Sequence, residues 1–170
     1  GTYKYFSKKS VRNYFKGVYA HSTVSLDNIQ PIKFTERFEI SKKDNAFSNL
    51  IKHDISKGII AGKVSFVEKG KDYFFNREIQ VSDSIIIKDS KPLHLVEKLV
   101  SRFQIPQGIQ IRRLSSKKFR IGGKLDICFK SDTDARILRG FLSKEYGKVE
   151  RSQILEASTS KAELITKLNF

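Results

Sequence analysis

The chain contains a single cysteine, Cys128, among its 170 residues. One cysteine can form neither an internal disulfide nor a cysteine-based zinc site, so the fold must hold without covalent cross-links. Such a composition fits a reducing or organellar compartment. The sequence also lacks any run of about 18 apolar residues, the length that a membrane-spanning helix needs. No signal-peptide pattern opens the chain either, so we predict no transmembrane segment.

Acidic residues are scarce beside basic ones. There are 18 Asp and Glu against 33 Lys and Arg, which gives a formal net charge of +15 and a pI of about 9.9. The hydrophobic fraction of 39% is enough for one sizeable core, so we expect one domain with appended tails. An excess of positive charge this large favours a polyanionic partner, and RNA, DNA and an anionic membrane surface all meet that requirement.

Residues 1–20 form a basic arm that contributes +5 to the net charge. Its cations include Lys8, Lys9, Arg12 and Lys16, and they are interleaved with tyrosine and phenylalanine. Cations neutralise phosphates while aromatic rings stack on unpaired bases, so this mixture is typical of RNA binding. The alternative is a basic tail whose aromatic residues dock on the rest of the domain.

Residues 109–130 contribute a further +6. The stretch IQIRRLSSKKFRIGGK contains no acidic residue and places its cations on either side of a Ser-Ser turn; they are Arg112, Arg113, Lys117, Lys118, Arg120 and Lys124. In an antiparallel hairpin these side chains repel one another unless a counter-charge is present. A phosphate backbone would supply it, whereas the alternative is a solvated hairpin with no partner.

The apolar spacing predicts an α+β fold in which helices flank an antiparallel sheet. We predict strands at 32–40, 59–67, 73–81 and 85–87, near 109–114 and at 118–130, and helices from Asp44 to Gly58, over 91–103, over 132–146 and from Ser160. We divide the chain into an arm with a first strand (1–43), a core (44–147) and a helical C-terminal tail (148–170).

The predicted order from 44 to 146 is helix, strand, strand, helix, strand, strand, helix. This order resembles one half of a LAGLIDADG homing endonuclease, and NLIKHDI at 49–55 stands where that family has GLIDADG. In this register Asp54 matches the family's metal-binding acid, while Lys52 replaces the earlier Asp.

Two other interpretations of the same elements stay open. In a second register the motif falls on 14–26, where Ala20 and Ser22 occupy the acidic positions. A ferredoxin-like domain over 84–155 would also explain the later elements.

Cleavage in this family needs a carboxylate from each of two paired helices, and the sequence offers Asp54 alone. We therefore predict no enzymatic activity, no metal site and no cofactor. The resemblance implies an architectural protein that binds structured RNA, either organellar ribosomal or intron RNA, within a ribonucleoprotein assembly and in a mitochondrion or other organelle.

DNA is the second choice of nucleic acid. The residues predicted to contact nucleic acid are Lys8, Lys9, Arg12, Lys16, Arg112, Arg113, Lys117, Lys118, Arg120 and Lys124. Two alternatives remain: a dimeric, Mg-dependent DNA endonuclease that uses Asp54, and a protein-interaction module for an acidic partner.

Overall fold

The structure, a computed structural model, describes residues 9–27, 29, 31, 46–130, 132–143, 145 and 147–170. These residues form one α-helix, α1 (Lys9–Lys16), a short 3₁₀ helix (Val18–Ala20) and twelve strands. The strands are β1 (Val24–Leu26), β2 (Phe47–Asp54), β3 (Ile59–Glu68), β4 (Lys71–Val81), β5 (Ile85–Ser90), β6 (Leu99–Pro106), β7 (Ile111–Arg113), β8 (Lys118–Ile121), β9 (Leu125–Phe129), β10 (Asp134–Leu142), β11 (Glu150–Thr159) and β12 (Glu163–Asn169).

The strands form two antiparallel sheets that pack face to face as a β-sandwich. The four-stranded sheet has the order β1-β6-β11-β10, and the eight-stranded sheet has the order β2-β3-β4-β5-β12-β9-β8-β7. The core lies between them and contains fully buried side chains from both sheets, among them Leu26, Leu99, Phe119, Leu155 and Leu164. On β8 and β12 alternate residues point into this core, as the two-residue period of a strand requires.

Strands β3 and β4 show how the local sequence sets the pairing. The turn between them contains Lys69 and Gly70, both with positive φ (52° and 76°), as a two-residue hairpin connection of the primed type needs. The resulting register places Phe66 beside Tyr73, and their stacked rings lie 5.3 Å apart within the core.

The predicted α+β class is wrong, because the described chain consists mostly of strands. The helix expected from Asp44 begins outside the described residues, and its described part is β2. The helices expected over 91–103 and 132–146 are replaced by β6, which starts at Leu99 after a stretch without helix, and by β10. The helix expected from Ser160 is β12. The strand expected at 32–40 lies outside the described residues.

Helix α1 and the 3₁₀ helix cover the outer face of the four-stranded sheet. The Tyr19 ring lies 4.8 Å from the Arg102 guanidinium of β6, and Phe15 is buried although it is outside the main core cluster. Tyr14 reaches the edge strand β10, where its hydroxyl accepts a 2.9 Å hydrogen bond from the Phe141 N–H. The described part of the arm is therefore packed on the sandwich.

Candidate functional site

The six hairpin cations lie on β7, β8 and the turns beside them, but they do not form one free ribbon. Arg113 Nη2 donates to the Ala135 carbonyl oxygen at 2.7 Å, and the Lys117 ammonium donates to the Thr133 carbonyl oxygen. Both side chains thus tie the hairpin to the start of β10. Arg112 and Lys124 are exposed.

The remaining two hairpin cations share one carboxylate, Asp126 of β9. Lys118 Nζ lies 2.9 Å from Asp126 Oδ2, and Arg120 donates twice to the same carboxylate, at 2.7 and 3.0 Å. Hydrogen bonds from Arg120, and then from Lys118, hold the pKa of the Asp126 carboxyl well below its usual range. Asp126 of β9 thus supplies part of the negative charge that is missing from the sequence of the hairpin.

We expect the Asp126 carboxyl to titrate at a lower pH than an ordinary aspartate, because both hydrogen bonds favour its ionised form. A folded-state pKa below the unfolded one means that this carboxylate stabilises the fold above the unfolded pKa. That contribution is lost as the pH falls toward the folded value. Carboxyl ¹³C NMR measures the midpoint, and Arg120→Gln should raise it. An unchanged midpoint in that variant would contradict the assignment.

Two of the arm cations, Arg12 and Lys16, do not lie on a free surface. Arg12 is only 8% exposed, Lys16 is half-buried and has interaction partners, and Lys9 begins α1. Lys8 lies outside the described residues.

Asp54, the acid expected to bind a metal under the endonuclease alternative, ends β2. It accepts hydrogen bonds from the Ser56 hydroxyl at 2.7 Å and from the Lys57 N–H at 3.2 Å, so it closes the turn between β2 and β3. Among the described residues, no group of three or more His, Cys, Asp or Glu side chains is placed to hold a metal ion.

A groove of about 580 Å³ opens at one end of the four-stranded sheet. We call it the inner-face groove; its lining residues are Gln107, Gly108, Arg139, Gly140, Phe141, Arg151, Ser152 and Gln153. Its size falls within the range of roughly 300–1,000 Å³ that is common for small-ligand sites.

The groove exists because the inner face of the four-stranded sheet extends beyond the eight-stranded sheet that covers the rest of it. Arg139 pairs with Gln153 and Phe141 pairs with Arg151 across β10 and β11, so these four side chains share one face. Leu155 of β11 lies on the same face and is fully buried in the core. The four are instead exposed, which means that the eight-stranded sheet ends before it reaches them.

The groove combines two cations with an aromatic surface. Arg139 and Arg151 are exposed, and no carboxylate of the described residues forms an ion pair with either one. Phe141 is 49% exposed, and Tyr14 fixes its backbone from the side while the two rings meet edge to face at 6.0 Å. The rigid position of Phe141 means that little ordering is needed when a ligand binds.

This arrangement can bind anions and pack against an apolar surface. Guanidinium groups present a planar fork that matches carboxylate and sulfate oxygens, and the glutamine amides can pair with hydroxyl groups. Among the described lining residues there is no His, Lys, Tyr, Asp or Glu. Since an arginine stays protonated near neutral pH, these lining residues do not include a base that could remove a proton from a bound ligand.

A family model described as "Heparinase II/III-like, C-terminal" matches residues 1–169. The chain belongs to this heparinase II/III-like C-terminal family. No curated protein matches the chain.

Solved structures share the fold of this heparinase II/III-like domain. A heparinase III gene product with methylated lysines has a TM-score of 0.70 and 17% identity, and the heparan sulfate lyase HepC from Pedobacter heparinus has 0.67 and 14%. Each covers 99% of this chain, which spans 27% of theirs. Another structure, a heparinase III, has a TM-score of 0.65 and 14% identity. The match covers 96% of this chain and 25% of that heparinase III.

The family assignment corrects the main functional predictions. The LAGLIDADG resemblance is wrong, and so are the nucleic-acid-binding function, the RNA, DNA and ribonucleoprotein partners and the endonuclease alternative. The physical reason is that the helix expected to carry the motif is β2, an edge strand with exposed side chains. The organellar location and the three-part division of the chain stay predictions, and so does the absence of a cofactor. No helix among the described residues has the length and apolarity to cross a membrane.

Sequence reasoning did not identify the inner-face groove. Its residues come from the loop after β6 and from β10 and β11, which are separate in sequence. Arg139 and Phe141 lie in the predicted helix over 132–146, whereas Arg151 lies in the predicted C-terminal tail. An arginine two residues from a phenylalanine in one strand is the local signal that could have found half of the site.

Proposed function

We propose that this heparinase II/III-like domain binds a sulfated, acidic polysaccharide in the inner-face groove, as the substrate-binding part of a polysaccharide lyase. The observation that carries the proposal is a pair of exposed arginines beside an exposed phenylalanine in the groove, with no ion pair to a carboxylate of the described residues. Family membership supports the polysaccharide as the ligand, and two relatives of the same fold are named as a heparinase and a heparan sulfate lyase.

The chemistry of the lining residues matches such a polymer. Arg139 and Arg151 would hold sulfate or carboxylate groups through charge-assisted hydrogen bonds. The Phe141 ring offers an apolar platform for the C–H face of a sugar ring. Gln107 and Gln153 can both donate to and accept from hydroxyl groups. Binding therefore has a charged part, which salt weakens, and an apolar part, which salt leaves unchanged.

The lining residues named above do not supply a base, so we propose that this chain binds the polymer without cleaving it. In a lyase, the group that abstracts the proton would then lie outside the groove residues. The test is the ultraviolet absorbance of unsaturated product when the 170-residue chain is mixed with heparin. A steady rise in absorbance, lost in Arg139→Ala with Arg151→Ala, would show that the chain itself is a lyase.

The binding proposal is tested with a heparin tetrasaccharide and isothermal titration calorimetry. Arg139→Ala combined with Arg151→Ala should weaken binding by more than about tenfold. Each charged hydrogen bond contributes about 1.5–3 kcal/mol, and about 1.4 kcal/mol corresponds to tenfold. A neutral dextran oligosaccharide should bind weakly to every variant.

The matched control is Lys57→Ala combined with Lys69→Ala, which removes the same charge from two exposed turns of the eight-stranded sheet. This pair should leave tetrasaccharide affinity nearly unchanged. If both pairs weaken binding equally, the tetrasaccharide responds to net charge and the groove is not its site.

A further inference from the structure

The outer face of the eight-stranded sheet carries a second set of cations, none of which lines the groove. We call this set the outer cation patch; it consists of Arg112, Lys118, Arg120, Lys130 and Lys167. The pairing register puts Arg112 beside Arg120, and Lys118 and Lys167 on either side of Cys128. Inward-facing Phe119, Ile127 and Leu168 alternate with these positions, so the patch side chains point away from the core.

Asp126 only partly neutralises the patch. Its carboxylate pairs with Lys118 and Arg120, and the nearby Glu163 is occupied by Lys88 at 2.8 Å. Within the part of the chain that the structure describes, no ion pair is formed by the other three cations, which are Arg112, Lys130 and Lys167. Arg112 also stands directly across from Arg120, and like charges in that position destabilise a strand pair. The patch therefore keeps a net positive charge that an anionic ligand could neutralise.

The layout of the patch indicates a polymer rather than a single small anion. Neighbouring strands lie about 4.8 Å apart, so Lys118 on β8 and Lys167 on β12 are separated by roughly 10 Å across β9. The cations lie on β7, β8 and β12, and Lys130 directly follows β9, so they extend across four adjacent strands. A chain that carries an anionic group at regular intervals can reach several of them at once, whereas one sulfate ion cannot.

We propose that the outer cation patch is a second binding surface for sulfated polysaccharide, which holds a long chain across β7, β8, β9 and β12. This inference rests on the proposed function for the class of its ligand. The patch and the groove lie on different sheets and share no residue. A short oligosaccharide can therefore fill the groove without using the patch, whereas a long chain can occupy both surfaces and gain affinity from the second one.

The experiment compares long heparin with the heparin tetrasaccharide. Arg112→Glu combined with Lys167→Glu should lower the affinity for long heparin by about tenfold, since each reversal removes an attraction and adds a repulsion. Tetrasaccharide affinity should stay unchanged. The matched control, Lys57→Glu with Lys69→Glu, alters net charge by the same amount and should have a much smaller effect on long heparin. Thermal unfolding followed by circular dichroism checks that each variant is folded.

The outcomes separate this inference from the proposed function. If the patch pair weakens long heparin no more than the control pair, the second surface is wrong, whatever the groove variants do. If the patch pair weakens long heparin while the groove arginines leave the tetrasaccharide unaffected, the groove is wrong and the second surface stands. Tighter retention of a DNA duplex than of heparin at the same salt concentration would overturn the choice of polysaccharide.

Discussion

Glu156→Gln is expected to lower the free energy of unfolding by about 3–5 kcal/mol, because it leaves a buried guanidinium without its carboxylate. Arg102 is 1% exposed and Glu156 is 5% exposed, and Arg102 Nε donates to Glu156 Oε2 at 2.8 Å. Gln has almost the same shape as Glu, so the variant removes the charge with little change in packing. Urea denaturation measures the loss.

The surroundings of Arg102 explain why its charge is tolerated in the native protein. Its Nη1 donates to the Ser25 hydroxyl at 2.7 Å, and the Tyr19 ring covers the guanidinium at 4.8 Å. Arg102 thus contacts β1, β11 and the 3₁₀ helix at once. Burying a charge costs several kcal/mol unless such partners are all present, so removing the one negative partner affects the packing of three elements.

The matched control is Arg136→Gln. Arg136 donates to the same carboxylate, at 2.8 and 2.6 Å, but its side chain is 70% exposed. An exposed ion pair contributes only about 0–1 kcal/mol, so this variant should unfold at nearly the same urea concentration as the parent chain. Equal losses in the two variants would show that Arg102 does not depend on Glu156.

The positions of β3 and β4 could be predicted from their alternating apolar residues. β3 and β4 agree closely with the expected strands at 59–67 and 73–81, and the Lys69–Gly70 turn joins them. The basic hairpin also forms, although its second strand is divided into β8 and β9. Gly122 and Gly123 form the turn between them, with φ of 57° and 77°.

The helix prediction over 91–103 failed because both faces of β6 are covered. On β6 the core side carries Leu99 and Phe103. The opposite side carries Val100, which is buried, and Arg102, which lies beneath the Tyr19 ring of the 3₁₀ helix. Apolar residues at 99, 100 and 103 have the spacing of a helix face, although they belong to two faces of a strand. That covering layer is formed by the arm, and no local pattern in β6 could indicate its presence.

The count of charges along the sequence predicted a polyanionic partner, and its assignment to nucleic acid is wrong. The acid-free stretch in the hairpin was taken as a phosphate-binding ribbon, yet Asp126 lies on the next strand and neutralises two of its cations. The charge count does not indicate the groove arginines, because the sequences of β10 and β11 are close to neutral. The net charge at a site depends on which side chains lie on the same face of a sheet. The strand register determines which side chains these are.

Phe119→Ala is expected to destabilise the protein by about 3–5 kcal/mol, as is usual when a buried aromatic ring is removed from a core. Phe119 of β8 is fully buried. Its ring meets Phe129 edge to face at 6.1 Å, and the Arg113 guanidinium lies over it at 5.3 Å. The variant therefore leaves a cavity and loosens the hairpin, and thermal or urea unfolding will show the loss.

Phe141→Ala separates stability from binding and serves as the paired variant. Phe141 is 49% exposed, so truncation should cost less than about 1 kcal/mol, in the range usual for surface positions. It should nevertheless weaken the binding of the heparin tetrasaccharide, because the ring forms the apolar wall of the groove. Phe119→Ala, examined at a temperature where it is folded, should bind the tetrasaccharide almost normally. If Phe141→Ala binds as well as the parent chain, the ring does not contact the sugar, and the groove would then act through its two arginines alone.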